Sequence, residues 1–403
     1  MVNPTLPMPL ADLKVVELSV AMAGPYCGMM LADYGADVVK VERIGEGDES
    51  RKWAPFFPGG VSHYFAAVNR NKKSLAVDLK TEDGRAIVEK LAAEADILID
   101  NFRPGVLDAL GLGYEALQAR NPRLIYCSIT GFGATGPLKD ERANDVAMQA
   151  YAGGMSITGE AGRGPVKMGI SIADIGAGMF GLSGILMALH MRHATGRGQR
   201  VDTSLLEGQI ALLAYHYTAF FASGKAPERK GSSAQGLVPY QAFEASDGWM
   251  VVAVFTDRMW RDLCVAIGRP EWGTDERFAT PQQRMINRET IVETCARTFE
   301  RDTVSAWRAR LTPLGIPCTP VLRVDQVVDE EQVAARDMIV EVDATGAGAI
   351  RMAGVPVKLS ESAGSVRSGP PALGEHTRAV VESLGYSPAD IERLEHAGAI
   401  ASC

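Results

Sequence analysis

One acid in this 403-residue chain stands where it could do chemistry. Residues 170–178 read ISIADIGAG and run on into MFGLSGILMALHMRH, so Asp174 lies between a short apolar run and a glycine-studded helical pattern. Three roles are open to it. Asp is a favoured N-cap, bonding the backbone N–H groups of the next turn. It could instead border a dinucleotide loop, because GAGMFG at 176–181 has the G-x-G-x-x-G spacing, with Asp202 26 residues on. Or it could be a nucleophile. A carboxylate at a helix N-terminus feels the positive end of the dipole and is expected to stay ionised at neutral pH. Among Ile, Ala and Gly it would be lightly solvated, and carboxylates can attack acyl groups to form covalent intermediates. Cap and nucleophile are compatible roles. The dinucleotide reading fits worst, since Asp174 puts negative charge where phosphates would rest and Asp202 falls near the start of its strand, RVDTSL. The glycines then read as close-packing positions.

Other chemistries find fewer residues. The six histidines form no HxxxH or HExxH pattern, and His190 and His193 have no acid or thiol nearby to complete a metal site. The six cysteines are scattered without a CxxC, as expected of incidental thiols in a reduced compartment. There is no G-x-S-x-G elbow and no Walker A loop. Asp140 and Glu141 sit in the charged loop LKDERAND, where solvent exposure is the simplest expectation. No metal site is expected.

Composition narrows the class. A chain of this length, 46% hydrophobic and 22% charged, can hold two globular cores. The net charge of −8, with only the short NRNKKS at 69–74 as a basic cluster, speaks against a nucleic-acid binder. No stretch approaches the roughly 18–20 unbroken apolar residues of a membrane span. The N-terminal MVNPTLPMPLADLK lacks the features of a signal peptide, so a cytoplasmic protein is expected.

Strand and helix signals alternate through the first third. LKVVELS (13–19), ADVVKVE (36–42), KSLAVDL (73–79), DILIDNF (96–102) and RLIYCSITGFG (123–133) are separated by helical stretches, one ending at Tyr34 and another over 83–95. That alternation predicts a parallel sheet with right-handed crossovers, whose ligands meet the carboxyl ends of the strands. The turns at Glu42–Arg43, Asp78–Lys80, Asn101–Arg103 and Gly131–Gly133 would then converge on one edge. A helix over 175–194, a strand and a long apolar helix follow. KAPERKGSSAQG (225–236) reads as a linker, and a hairpin around Asp247–Gly248 opens a second unit with helices near 257–267, 288–299 and 303–312. The predicted division is 1–224 for a large domain, 237–330 for a smaller α/β domain, and 331–403 as a return segment whose two short helices complete the first.

The motifs LKVVELSVAMAGPYCGMMLADYGADVVKVERIGEGDESR, NRNKKSLAVDLK, NFRPGVLDALGLGYE, LIYCSITGFGATGP, GRGQRVDTSLLEG, GIPCTPV and LGEHTRAVVESLG occur in that order. Together they closely resemble the class III CoA-transferases, the group containing formyl-CoA and carnitinyl-CoA transferases, over essentially the whole chain. The resemblance implies a Rossmann-like large domain built from both chain ends, a smaller α/β domain, and an interlocked homodimer. It implies an aspartyl nucleophile at Asp174, forming a mixed anhydride with the acyl group and then an aspartyl-CoA thioester. It implies CoA contacts at Met22 and Ala23, Arg43, Val77, Asp78, Leu79 and Lys80, Asn101, Phe102 and Arg103, and Arg142, Ala143, Asn144 and Asp145. Arg43, Lys80, Arg103 and Arg142 would meet the phosphates. No permanently bound cofactor is implied; the partners are an acyl-CoA and a carboxylic acid.

Two departures from the family pattern stand out. Ala109 replaces the arginine common after PGVLD, and GSSAQGLVPYQAF lacks the glycine-rich loop that covers the nucleophile in formyl-CoA transferase. The motifs VNRNKKSLAV, LIYCSITGFGATGP and LVPYQAF look most like members moving CoA between short dicarboxylates, such as succinyl-CoA to glutarate. An α-methylacyl-CoA racemase is the rival within the superfamily, but its histidine aligns with Asn144, whose amide cannot act as that base. A non-catalytic CoA- or nucleotide-binding protein, with Asp174 only a cap, is the rival outside it.

Overall fold

The computed structural model describes residues 6–403. The chain divides into two units. The larger comprises residues up to Gly154, Lys167–Ala222 and Glu331–Cys403; the smaller comprises Met155–Val166 and Ser223–Glu330.

In the larger unit β1 (Lys14–Leu18), β2 (Asp37–Glu42), β3 (Lys72–Val77), β4 (Ile97–Asp100), β5 (Ile125–Thr130) and β6 (Arg200–Ser204) form one parallel sheet, ordered β3-β2-β1-β4-β5-β6. A two-residue strand, Ile400–Ala401, adds to β3 in the antiparallel sense. The central strands are buried on both faces, which is why they read as near-continuous apolar runs without alternation. One face packs Val16, Leu98 and Tyr126 against the helices Glu82–Glu94 and Thr377–Ser383; the other packs Val15, Ile99 and Cys127 against the helices Ala23–Asp33 and Ile172–Thr195.

The C-terminal segment supplies more than two helices. It also forms a hairpin, Ile339–Ala344 with Gly348–Ala353, that the sequence reading missed; Ile350 packs there against Ala66. The long apolar helix expected after β6 breaks into Leu205–Leu212 and Ala214–Ser223. The smaller unit holds an antiparallel sheet of Tyr240–Ala245, Gly248–Ala253 and Cys318–Pro320. Its core includes Trp260, Phe278, Phe299 and Trp307.

The helix Ile172–Thr195 corrects one expectation. By length and composition it is apolar enough to cross a membrane, a candidate overlooked because Asp174, Ser183 and His190 interrupt its apolar run. Part of it is nevertheless core, with Ala173, Ala177, Ile185 and Ala188 buried under the sheet. Its glycines mark close approaches. A Cβ on Gly181 would lie 2.8 Å from Ile129 Cδ1, and one on Gly178 would lie 2.7 Å from the carbonyl oxygen of Ala23.

Gly178→Ala therefore sets two effects against each other. Alanine gains about 1 kcal/mol of helix propensity, but forcing apart two helix backbones costs about 1–3 kcal/mol. The obstructing atom is a backbone oxygen that cannot rotate away, so the second effect wins. Urea unfolding should show a net loss of about 1 kcal/mol.

Candidate active site

Asp174 is the third residue of the helix Ile172–Thr195, not its cap, which corrects the first role considered above. Ser171 occupies the N-cap position and makes no side-chain cap bond. The free N–H groups are met from elsewhere: Asp145 Oδ1 accepts from Ala173 N at 2.9 Å and from Asp174 N at 3.4 Å. Asp145 is itself buried, and its Oδ2 accepts from Gln149 Nε2 at 2.6 Å. With the capping bonds made by another carboxylate, no described residue hydrogen-bonds the Asp174 side chain. Burial first, and the like charge of Asp145 second, raise the Asp174 pKa to about 7. This overturns the expectation of a fully ionised carboxylate at neutral pH. The helix dipole does favour the anion, but by about 0.3–1 kcal/mol for an ordinary site, against roughly 1.4 kcal/mol for each factor of ten in acidity.

Tyr64, which sequence reasoning did not single out, lies close enough to the carboxylate to feel its charge. Ser62 caps the helix His63–Asn69 through Tyr64 N and Phe65 N, fixing Tyr64 at its start. Tyr64 bonds Ser171, the residue before the helix Ile172–Thr195, and meets Trp53 edge-on at 4.7 Å. Burial, then the negative charge of Asp174, push the Tyr64 phenol up. Tyr64, Met22, Tyr26 and Ile175 belong to one apolar cluster, which brings the turn after β1 up to the start of the helix Ile172–Thr195. The only sequence signal for Tyr64 was the serine two residues before it, a cap of the ordinary kind.

A cleft of about 900 Å³ opens at the carboxyl ends of β1, β2 and β3. Of the residues expected to contact CoA, it brings together Arg43, Val77, Asp78, Leu79, Lys80 and Phe102. Arg43 is exposed and paired with Glu46 at 2.9 Å. Arg103 instead lines a second cleft of about 390 Å³, with Lys139 and Arg200, and shares Phe102 and Leu107 with the first. Arg142 and Ala143 line neither. Asn144 caps the helix Asp145–Tyr151, its Oδ1 accepting from Ala147 N at 2.9 Å. Asn101 is spent on backbone, bonding Val20 N at 2.9 Å and Val20 O at 2.7 Å. Met22 and Ala23 are buried at the start of the helix Ala23–Asp33. Among the described residues no three His, Cys, Asp or Glu side chains are grouped as metal ligands.

A family model described as CoA-transferase family III matches residues 10–377. An acyl-CoA transferase of Fusarium pseudograminearum is 38% identical, over 97% of this chain and 88% of its own length. A succinyl-CoA:glutarate CoA-transferase of Homo sapiens is 35% identical, over 97% of this chain and 90% of its own length. Among solved structures, a CAIB/BAIF family protein from Brucella suis superposes with a TM-score of 0.84 at 39% identity, covering 94% of this chain and 100% of that one.

The raised pKa of Asp174 makes a stability prediction. The folded protein holds this proton up to about 7, while an unfolded Asp releases it near about 3.9. Between those values the native state binds more protons, so this residue's contribution to stability declines as pH rises through the window. Asp174→Asn removes the titration. Thermal unfolding should find the variant more stable than wild type at pH 8, by about 2 kcal/mol once the side chain's partial exposure is discounted, with that gain gone near pH 4.

Proposed function

The chain belongs to CoA-transferase family III and is an acyl-CoA:carboxylate CoA-transferase; from that premise we propose that Asp174 carries the acyl group and that succinyl-CoA and a short dicarboxylate are its substrates. The observation that carries the mechanism is Asp174 itself: part-buried at a helix N-terminus, with no hydrogen bond to its carboxylate among the described residues, and with its pKa raised to about 7. Its ionised oxygen attacks the thioester carbonyl and expels CoA thiolate, leaving a mixed anhydride. The thiolate attacks the aspartyl carbonyl, releasing the donor acid and leaving an aspartyl-CoA thioester. The acceptor carboxylate attacks that thioester, expelling thiolate again and forming a second anhydride. The thiolate then takes the acceptor's acyl carbon and frees Asp174.

Each step exchanges one acyl bond for another of similar transfer potential, so no external energy source is required. The raised pKa helps the first step. A thiol ionises near about 8.5, and a carboxylate whose conjugate acid ionises near 7 is closer to it in basicity than an ordinary Asp. The attack is correspondingly less uphill.

For CoA, the cleft with Arg43 and Lys80 supports seating of the nucleotide phosphates, with the turn Ser19–Met22 leading the thioester toward Asp174. Arg103 would reach CoA from the neighbouring cleft. The dicarboxylate assignment draws on the likeness to the human succinyl-CoA:glutarate CoA-transferase. A homodimer is supported by apolar side chains left exposed on the helices Ile172–Thr195, with Met187 and Met191, and Ala214–Ser223, with Tyr215 and Phe221. A second copy over those side chains, not a bilayer, fits a helix whose other side is core. Free Cys27 and Cys127, in side-chain contact as thiols, support a reducing, cytoplasmic setting. The racemase alternative is disfavoured because Asn144 is committed to its helix cap.

Asp174→Asn should lower kcat by more than about 10³-fold while free CoA still binds. Hydroxylamine added during turnover should label Asp174 in the wild type and nothing in the variant. A panel of CoA donors and C4–C6 diacids, read by chromatography, tests the substrates; exchange with none of them rules out the dicarboxylate reading. A protein that binds CoA without exchange would instead be the non-catalytic binder. Because the nucleophile must be ionised in the free enzyme, kcat/KM should rise with pH through a midpoint of about 7 and then level off. Asp145→Asn should move that midpoint to lower pH.

A further inference from the structure

The turn between β1 and the helix Ala23–Asp33 is held by side chains from three other segments. Lys40 Nζ donates to Ser19 O at 2.7 Å. Asn101 brackets Val20 through both its N–H and its carbonyl. Asp48 accepts from Ala21 N with both carboxylate oxygens, each at 3.1 Å. Ala21 needs the restraint, because its φ is +64°, a left-handed conformation that side chains other than glycine adopt at a cost.

Asp48 does not act alone. It lies 3.0 Å from Lys40 Nζ, which is also 3.0 Å from Glu17, and Glu17 in turn is 2.7 Å from Lys72. All four side chains are buried. Such networks seldom stabilise a protein more than apolar packing would. This one lies directly beneath a turn that serves two surfaces. Ser19 and Val20 line the large cleft together with Asp48, while Met22 packs beside Tyr64 and Ile175, next to Asp174.

We propose that Asp48 is a positioning residue for acyl transfer: its double hold on Ala21 N, backed by Lys40, sets the Ser19–Met22 turn that guides the thioester from the cleft to Asp174. The inference rests on the transferase reading. Asp48 touches no reacting atom. It fixes the wall along which the substrate lies, so its loss misplaces the thioester without removing the CoA cleft.

Asp48→Asn keeps the size of the side chain and removes one of the two acceptors. The expected result is a drop in kcat of about 10²-fold, the scale of a misplacement near 1 Å, with the affinity for free CoA by calorimetry changed less than about threefold. Adding Ala21→Gly to Asp48→Asn should restore at least about tenfold of the lost kcat, since glycine takes a positive φ unaided. A purely structural role would give no such rescue. Should Asp48→Asn fail to fold, Ala21→Val leaves the ion network intact while disfavouring the turn, and should show the same kcat loss at unchanged CoA affinity. Unchanged kcat, a parallel loss of CoA affinity, or no recovery with Ala21→Gly overturns the proposal. Asp174→Asn is assayed alongside: full transfer by that variant would sink the nucleophile reading, a result separable from any outcome at Asp48.

Discussion

The site depends on one borrowed helix cap. Asp145, 29 residues before Asp174, bonds the first free N–H groups of the helix Ile172–Thr195. Gln149 steadies it, donating to Asp145 Oδ2 and accepting from Met168 N at 2.7 Å, so the helix Asp145–Tyr151 is tied to the segment that leads into the helix Ile172–Thr195. Two consequences follow from the same carboxylate. The N-terminal N–H groups no longer need the Asp174 side chain, which leaves its oxygens available to a substrate. The charge of Asp145 also adds to burial in holding the Asp174 proton toward neutrality. An Asp capping its own helix would have accepted those bonds and stayed strongly acidic.

A second constraint lies in the sheet beneath. Glu17 and Lys40 are register partners on β1 and β2, and Lys72 begins β3 alongside. Burial alone would raise the Glu17 carboxyl, but Lys72 and Lys40 outweigh it and hold it below the usual range. Lys72 gains less in return: burial lowers its pKa to about 8 despite Glu17. Glu42 closes the group, accepting from Arg51 and from Ser74 on β3, both at 2.7 Å. A one-residue slip of β1 against β2 would turn these side chains to the other face and strand buried charges without partners. The network thus makes the register of the three strands nearest the large cleft expensive to change.

Much of this was legible in the sequence, and the exceptions share a cause. Buried parallel strands announce themselves as unbroken β-branched runs, so β1 to β5 fell within a few residues of their observed ends. Asp174 stood out because polar residues are rare in such a stretch, and the glycines after it read correctly as packing positions. The identity of the cap did not, because a helix start is ordinarily capped from the preceding residue and Asp145 comes from the start of another helix, 29 residues earlier. Tyr64, Trp53 and the Glu17–Lys40–Asp48 network were hidden for the same reason: their meaning lies in partners far along the chain. The grouping of cations was only half visible. Arg43 and Lys80 share a cleft, whereas Arg103 faces a different one and Arg142 lines neither.

The position of Asp174 within its helix explains why one residue can serve stability poorly and chemistry well. Side chains on a helix tilt toward its N-terminus, so a carboxylate in the third position reaches over the open end of the helix. At the N-cap it would be drawn back onto the backbone N–H groups. The third position therefore aims the oxygens outward but surrenders the hydrogen bonds that would keep the anion comfortable among Ile175, Met22 and Tyr64. Poor solvation of the anion is a cost to the fold at neutral and higher pH. For the proposed transfer the same poor solvation would make the oxygen a better base and a stronger nucleophile, and a bound thioester would cover it further. An additional donor placed on Asp174 would ease the first problem by removing the reactivity that the second provides.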